Sequence, residues 1–206
     1  MYAFTDLSAS KSYKDPYDLY CNRPCYDISG FKQLSLIING IIIEHLDTKL
    51  ISVKWAIACA KRVLPIFEAS YQDDRPRRAI EAAELWVLKP NAATAANANT
   101  AAYAADAVDA VDATAYSAAY ATAAVAYSAA TDNAATYAGY AATYATYAIY
   151  DASNENPFIS RNAESQWQRY KLKKIIKEHS IYYKTLNKIL TKRIPPELSS
   201  LITNFL

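Results

Sequence analysis

Between positions 91 and 152 the chain carries 29 alanines in 62 positions. Alanine is the strongest helix former, because its side chain has no rotamer freedom to lose. That segment can be little other than helix, and its short side chains let helix axes approach closely. The whole chain has only three glycines, too few for a β-sandwich, a phosphate-binding loop or a dinucleotide fold, which need glycine at their turns. Thr131-Asp132-Asn133 reads as a break with its own cap and predicts two helices. In the first, Tyr116, Tyr120 and Tyr127 share a face, with Val108, Val111 and Val125 roughly opposite. In the second, Tyr137, Tyr140, Tyr144 and Tyr147 form one stripe at helical spacing. Such stripes suit a bundle interior whose hydroxyls reach the rim, or a recognition surface of large contact area. Periodicity favours the interior.

The flanks extend the helical reading. Residues 48–69 repeat Leu50, Val53, Ile57, Ala60 and Leu64 at helical spacing, and Pro65 is expected to kink or end that helix. Asp73-Asp74-Arg75-Pro76 is a helix start: an Asp cap, with Asp74 immediately before the first turn, then Pro inside it. The helix that follows, about 75–88, ends before Pro90. After a linker at 153–157, a basic amphipathic helix is predicted from about Arg161 to Lys192. Leu172, Ile175, Ile176, Tyr182, Tyr183, Leu186, Ile189 and Leu190 fill its apolar arc. Arg169, Lys173, Lys177, Lys184 and Lys188 fill the other. Residues 197–206 predict a short apolar terminal helix.

The N-terminal third is less regular. Residues 1–30 have no helical period and are broken by Pro16, Pro24 and Gly30, which predicts an irregular arm. Residues 31–46 are ambiguous. Asn39-Gly40 between isoleucine runs is a hairpin signal. A helix is favoured nonetheless, because no further strand suggests itself to complete a sheet. The expectation is an all-α fold: a single-domain bundle of about five to seven helices over 31–206, behind the arm, with no sheet of three or more strands. Its parts are the helices of 48–152 and the basic region 158–206.

The net charge of +2 hides a split. No Lys or Arg lies between Lys89 and Arg161, while residues 91–157 hold six acids: Asp106, Asp109, Asp112, Asp132, Asp151 and Glu155. Bases gather in the C-terminal helix, which could meet nucleic acid; a core helix with a lysine-rich polar arc is the simpler reading. No apolar run is long enough to cross a membrane, and nothing reads as a secretion signal, so a cytoplasmic protein is expected.

Chemistry leaves few signatures. Cys21, Cys25 and Cys59 are an odd set, not a disulfide framework. His45 and His179 are the only histidines and have no zinc-ligand spacing, so no metal or cofactor is expected. The densest polar group surrounds the second helix start: Glu68, Asp73, Asp74, Arg75, Arg77, Arg78, Glu81 and Glu84. An acid–base pair with a substrate-binding arginine could be drawn from it. A cap plus an Arg77–Glu81 pair one turn apart accounts for it more simply.

Trp55-Ala56-x-x-Cys59-Ala60-x-x-Val63-Leu64-Pro65-x-Phe67-Glu68 is followed by Asp74-Arg75-Pro76-Arg77-x-Ala79-Ile80-Glu81-Ala82-Ala83. A long alanine–aromatic stretch and Trp167-Gln168 come after it. Together these residues resemble the Imm-5-like family of immunity proteins, all-helical domains of bacteria and their phages, over about residues 48–180. The resemblance implies a protein that binds and neutralises a protein partner, such as a toxin or a defence component, without catalysis. It brings no catalytic residues; Glu68, Asp74, Arg75, Arg78 and Glu81 match its polar motif and are carried over as candidate binding residues. The alternatives are a small enzyme or ligand-binding domain using Glu68, Asp74, Arg75 and Glu81, and a nucleic-acid binder acting through the basic C-terminal helix.

Overall fold

The computed structural model describes residues 2–6, 12–13, 16–21, 34–38, 41–108, 110, 112–152, 157–181 and 184–185. Among these the fold is mostly helical, with seven helices and four short strands. The strands are β1 (Tyr2–Asp6), β2 (Ser12–Tyr13), β3 (Leu34–Ile38) and β4 (Ile41–Leu46). The helices are α1 (Pro16–Cys21), α2 (Thr48–Ser70), α3 (Arg75–Leu88), α4 (Ala92–Asp106), α5 (Ala113–Ala130), α6 (Ala134–Ala152) and α7 (Pro157–His179).

The N-terminal region departs from expectation. The strands form one antiparallel sheet in the order β2-β1-β3-β4, so 34–46 is a hairpin, not a helix. The physical reason is that the supposed arm supplies the missing strand. β1 lies along β3 with Phe4 opposite Leu36, and β3 pairs with β4 from Leu34–Leu46 to Ile38–Ile41, with an irregularity at Leu36/Ile37. The arm also supplies α1, begun by Pro16, whose fixed φ suits a first helical turn. Leu34, Leu36 and Leu46 belong to the same apolar cluster as the helices. Thr48 ties the sheet to α2: its Oγ1 accepts from the Leu34 amide at 2.6 Å and donates to the Leu46 carbonyl at 3.3 Å.

Helix α5 is the hub. It packs against α2, α3, α4 and α6, and most of its residues are buried, including Ala115, Ala118, Ala119, Ala121, Ala123, Ala124 and Val125. A helix enclosed on so many sides has room only for small side chains. The bulk that fills the core comes from its neighbours: Trp55, Phe67 and Ile51 of α2, Leu34 and Leu36 of β3, and Leu172 and Ile176 of α7. Three buried hydroxyls in the alanine helices cost little because they donate to carbonyls of their own helices. Thr122 reaches Ala119 at 2.7 Å, Ser128 reaches Val125 at 2.6 Å and Thr146 reaches Ala142 at 2.9 Å.

Two helix boundaries also differ. The alanine stretch makes three helices, because the chain turns at 107–112 as well as at 131–133. Asp112 caps α5, its Oδ1 accepting from the Thr114 amide at 3.1 Å. The turn is held from outside by the Arg75 Nη1 donating to the Ala107 carbonyl at 3.2 Å, and by the Tyr71 hydroxyl accepting from the Asp112 amide at 3.3 Å. Pro65 lies within α2 without ending it; one further turn seats Phe67 in the core, stacked on Tyr71. Residues 182, 183 and 186–192 of the expected basic helix, and the expected terminal helix of 197–206, lie outside the described residues.

The enclosed hub yields a prediction. Ala118→Leu, fully buried in α5, should lower stability by about 1–3 kcal/mol through overpacking. Ala96→Leu, exposed on α4, should stay within about 0.5 kcal/mol of the parent. Urea denaturation of both variants measures the contrast.

Candidate functional site

The polar residues singled out by sequence lie where α2 gives way to α3. Glu68 meets Arg77 at 2.6 Å across the two helices, and Lys61 meets Glu84 at 2.5 Å one step further along. Asp74 pairs with Arg78 at 3.0 Å. Arg75 is held by Asp73 through contacts of 2.5 to 3.0 Å and reaches on to the Ala107 carbonyl. Glu81 is exposed, and Arg77 turns to Glu68 instead of pairing with it. The cap is Asp73, whose Oδ1 accepts from the Arg75 amide at 2.9 Å; Asp74 makes no side-chain cap bond. The reason is local. Asp74 is already in helical geometry, with φ −88 and ψ −6, so its carboxylate projects outward to Arg78. The Arg75 hydrogen bonds hold the Asp73 carboxyl below its ordinary range.

A second polar cluster is deeply buried and was not picked out by sequence. Glu164, 1% exposed, meets the Arg62 Nε at 2.5 Å, and the Arg62 guanidinium lies over the Trp167 ring, 4.6 Å from its centre. Gln168 donates from Nε2 to Glu164 Oε1 at 3.0 Å, to the Ala142 carbonyl at 2.9 Å and to Thr146 Oγ1 at 3.2 Å. Its Oε1 accepts from the Tyr17 hydroxyl at 3.2 Å, and its backbone carbonyl accepts from Trp55 Nε1 at 3.2 Å. This network clasps α1, α2, α6 and α7 together. Burial pushes the Glu164 carboxyl up from its ordinary value, against the pull of Arg62 and Gln168. The available signal was spacing: positions 164, 168 and 172 step down the arc that also holds Ile175 and Ile176.

The tyrosines form the third feature. None of Tyr103, Tyr116, Tyr120, Tyr127, Tyr137, Tyr140, Tyr144 and Tyr147 is buried; the alanines take the interior and the rings line the outside of α4, α5 and α6. The interior reading of the stripes is thereby corrected. An interior of enclosed helices has no space for phenol rings. The rings touch in sequence. Tyr116 meets Tyr120 with centroids 4.8 Å apart, Tyr120 meets Tyr144 at 5.0 Å, and Tyr144 meets Tyr147 at 6.2 Å. Tyr103 meets Tyr127 at 5.5 Å, Tyr127 meets Tyr137 at 5.1 Å, and Tyr137 meets Tyr140 at 6.0 Å. Partial burial, with Asp106 nearby, pushes the Tyr127 hydroxyl up to about 12. A hydrogen bond with Tyr116, then burial and Asp106, raise Tyr120 further. These hydroxyls stay protonated and remain donors at any physiological pH.

The Cys59 thiol and the two imidazoles have local partners or are shut away; the Cys21 side chain and Cys25 lie outside the described residues. Cys59 is buried, His45 Nδ1 lies 2.9 Å from the Ser35 hydroxyl, and His179 bridges the Ile175 carbonyl and the Lys54 amine at 2.7 Å each. Among the described residues no group of three or more His, Cys, Asp or Glu could hold a metal ion, and no helix is long and apolar enough to cross a membrane.

The family model described as "Imm-5 like putative immunity protein" matches residues 44–175, well over half of the chain. The chain belongs to this family. The match runs from β4 into α7, so it takes in all of α2–α6 and both polar clusters except Tyr17, and it leaves β1–β3 and α1 outside. No curated protein and no solved structure matches the chain. Two parts of the Imm-5-like signature far apart in sequence, Trp55 and Trp167-Gln168, meet at the buried clasp. In this chain those residues dock α7 onto α2.

Two predictions concern these clusters. Asp73→Ala should cost about 1 kcal/mol through loss of the α3 cap, whereas Asp74→Ala removes only an exposed pair worth about 0–1 kcal/mol. Paired denaturation curves rank them. Since the Asp73 carboxyl is depressed in the fold, its contribution is present at neutral pH and is lost as pH falls through that depressed value. Glu164 has the opposite sign. Its raised carboxyl binds its proton more tightly folded than unfolded, so the wild type loses stability as pH rises from about 4 through the folded value. Glu164→Gln has no such dependence. The stability of the variant relative to wild type should therefore rise between acid and neutral pH, as read from denaturation midpoints across a pH series.

Proposed function

We propose that this protein is an immunity protein that binds a protein toxin in the cytoplasm and blocks it by occlusion, without chemistry of its own. The observation that carries the reading is the use made of the charged cluster at the α2–α3 junction. Its carboxylates and guanidiniums are paired side by side, Glu68 with Arg77, Asp74 with Arg78 and Asp73 with Arg75. An acid–base site instead needs groups converging on a common point where substrate can sit. Membership of the Imm-5-like family supports the same reading. On it, Glu68 and Arg75 fix the α2–α3 corner and the 107–112 turn, while the exposed Asp74, Arg78 and Glu81 are open to partner contact.

The deciding experiment is a protection titration. The native host's toxin, isolated with the tagged protein, is assayed against increasing amounts of the pure chain. Occlusion predicts an end point at one equivalent, unchanged by Glu68→Gln or Glu81→Gln. Protection at far less than one equivalent, abolished by either substitution while the fold and the complex persist, would establish turnover and reject the proposal.

A further inference from the structure

One end of the α4–α5–α6 face combines features that the fold itself does not require. Tyr127 of α5 meets Tyr137 of α6 while Tyr120 meets Tyr144, so α5 and α6 are antiparallel. Tyr103 meets Tyr127 while the Asp106 carboxylate lies near Tyr120, so α4 is antiparallel to α5 as well. The C-termini of α4 and α6 therefore point the same way along this face. A helix C-terminus is the negative end of the helix dipole and is stabilised by bases. Neither last turn has one; they hold Asp106 and Asp151 instead. Asp112 at this end caps α5, but the other two carboxylates add charge where the backbone already opposes it.

The three helices bring no cation to this surface; at its edge Arg75 of α3 reaches the Ala107 carbonyl but is already held by Asp73. Elsewhere the chain lays bases over aromatic rings: Arg62 over Trp167, Arg169 over Tyr17 and Lys49 over Trp86. The tyrosine ladder lies wholly within the span from Lys89 to Arg161 that has neither lysine nor arginine. Three of its rings are widely open to solvent: Tyr103 is 62% exposed, Tyr116 42% and Tyr147 44%. An aromatic face beside a carboxylate attracts a guanidinium or ammonium twice, through the ring quadrupole and through charge-assisted hydrogen bonds. Tyrosine adds wide contact at low entropy cost. Nucleic acid and anionic lipid would be repelled by this face.

We infer that this tyrosine–aspartate face is the docking surface for a cationic patch on the partner protein. Arginine or lysine side chains of the partner lie against Tyr103, Tyr116 and Tyr147 and pair with Asp106 and Asp151. The inference rests on the proposed binding function and adds the place and the chemistry of contact.

The test uses the full chain and a deca-arginine peptide, followed by tyrosine fluorescence, with deca-glutamate as control. Saturable binding of deca-arginine, weakening as salt is raised, is expected. A Tyr147→Ser/Asp151→Asn double variant should bind about tenfold more weakly, while Glu178→Gln on α7 binds like wild type. If the double variant fails to fold by circular dichroism, Asp151→Asn alone, at an exposed helix end, should still weaken binding. Equal binding by wild type and variants, or equal binding of deca-glutamate, would overturn the inference. A second arm separates it from the function on which it rests. A host toxin retained equally by wild type and the double variant overturns the docking surface and leaves immunity by binding standing. If neither retains any protein at low salt, both fall.

Discussion

The enclosure of α5 governs the rest of the molecule. A helix with neighbours on four sides can be built only if its axes come close, and axes come close only over small side chains. Alanine meets that need and is also the best helix former, so propensity and packing agree along the same residues. The arrangement divides labour between elements. α5 and α6 supply backbone and methyl groups, and α2, β3 and α7 supply the large apolar side chains that exclude water. Anything bulky on α5 must leave by the one open side. That is why its tyrosines and those of α6 gather into a single outward ladder.

The polar groups follow from the same geometry. α7 cannot nest against alanine helices by bulk alone over its first half, and there Glu164 and Gln168 take the place of apolar residues. Burying a carboxylate without partners would be severely unfavourable. Arg62, Tyr17, Thr146 and the Ala142 carbonyl meet the needs of Glu164 and Gln168 together. A network so completely paired specifies one seat for α7, and losing a single member would strand the others. The α2–α3 corner uses ion pairs differently. They are half-exposed, individually weak, and chiefly set the angle of α3 and the turn at 107–112.

Local signals in the sequence suffice where one period rules. The helices from Leu50 onward, the break at Thr131–Asn133 and the buried arc of Leu172, Ile175 and Ile176 all follow from spacing. What failed was non-local. The Asn39-Gly40 hairpin was visible, but the strand that stabilises it lies over thirty residues earlier in a segment with no helical period. The turn at 107–112 is fixed by Arg75 and Tyr71 from another helix junction, which no local pattern in the alanine stretch records. The tyrosine stripes were located correctly and assigned to the wrong side, because a helical period states that residues share a face but not which face is covered. For the candidate residues, Glu68, Asp74, Arg75, Arg78 and Glu81 are neighbours in space as in sequence. Asp73, adjacent to one of them, carries the cap because one step in φ and ψ decides which carboxylate can turn back to an amide.

The charge split also has a consequence for the life of the chain. Proteases that cut after lysine or arginine find no bond to cleave from Pro90 to Ser160, and enzymes that acylate or tag lysine find no amine there. The whole α4–α5–α6 unit is therefore invisible to such chemistry even when it opens. Attack must begin at its margins: in α2 and α3, where the bases are paired, or in α7. Where attack begins in α7, its rate follows how often that helix lifts from its clasp, which ties Glu164 and Gln168 to turnover as well as to fold.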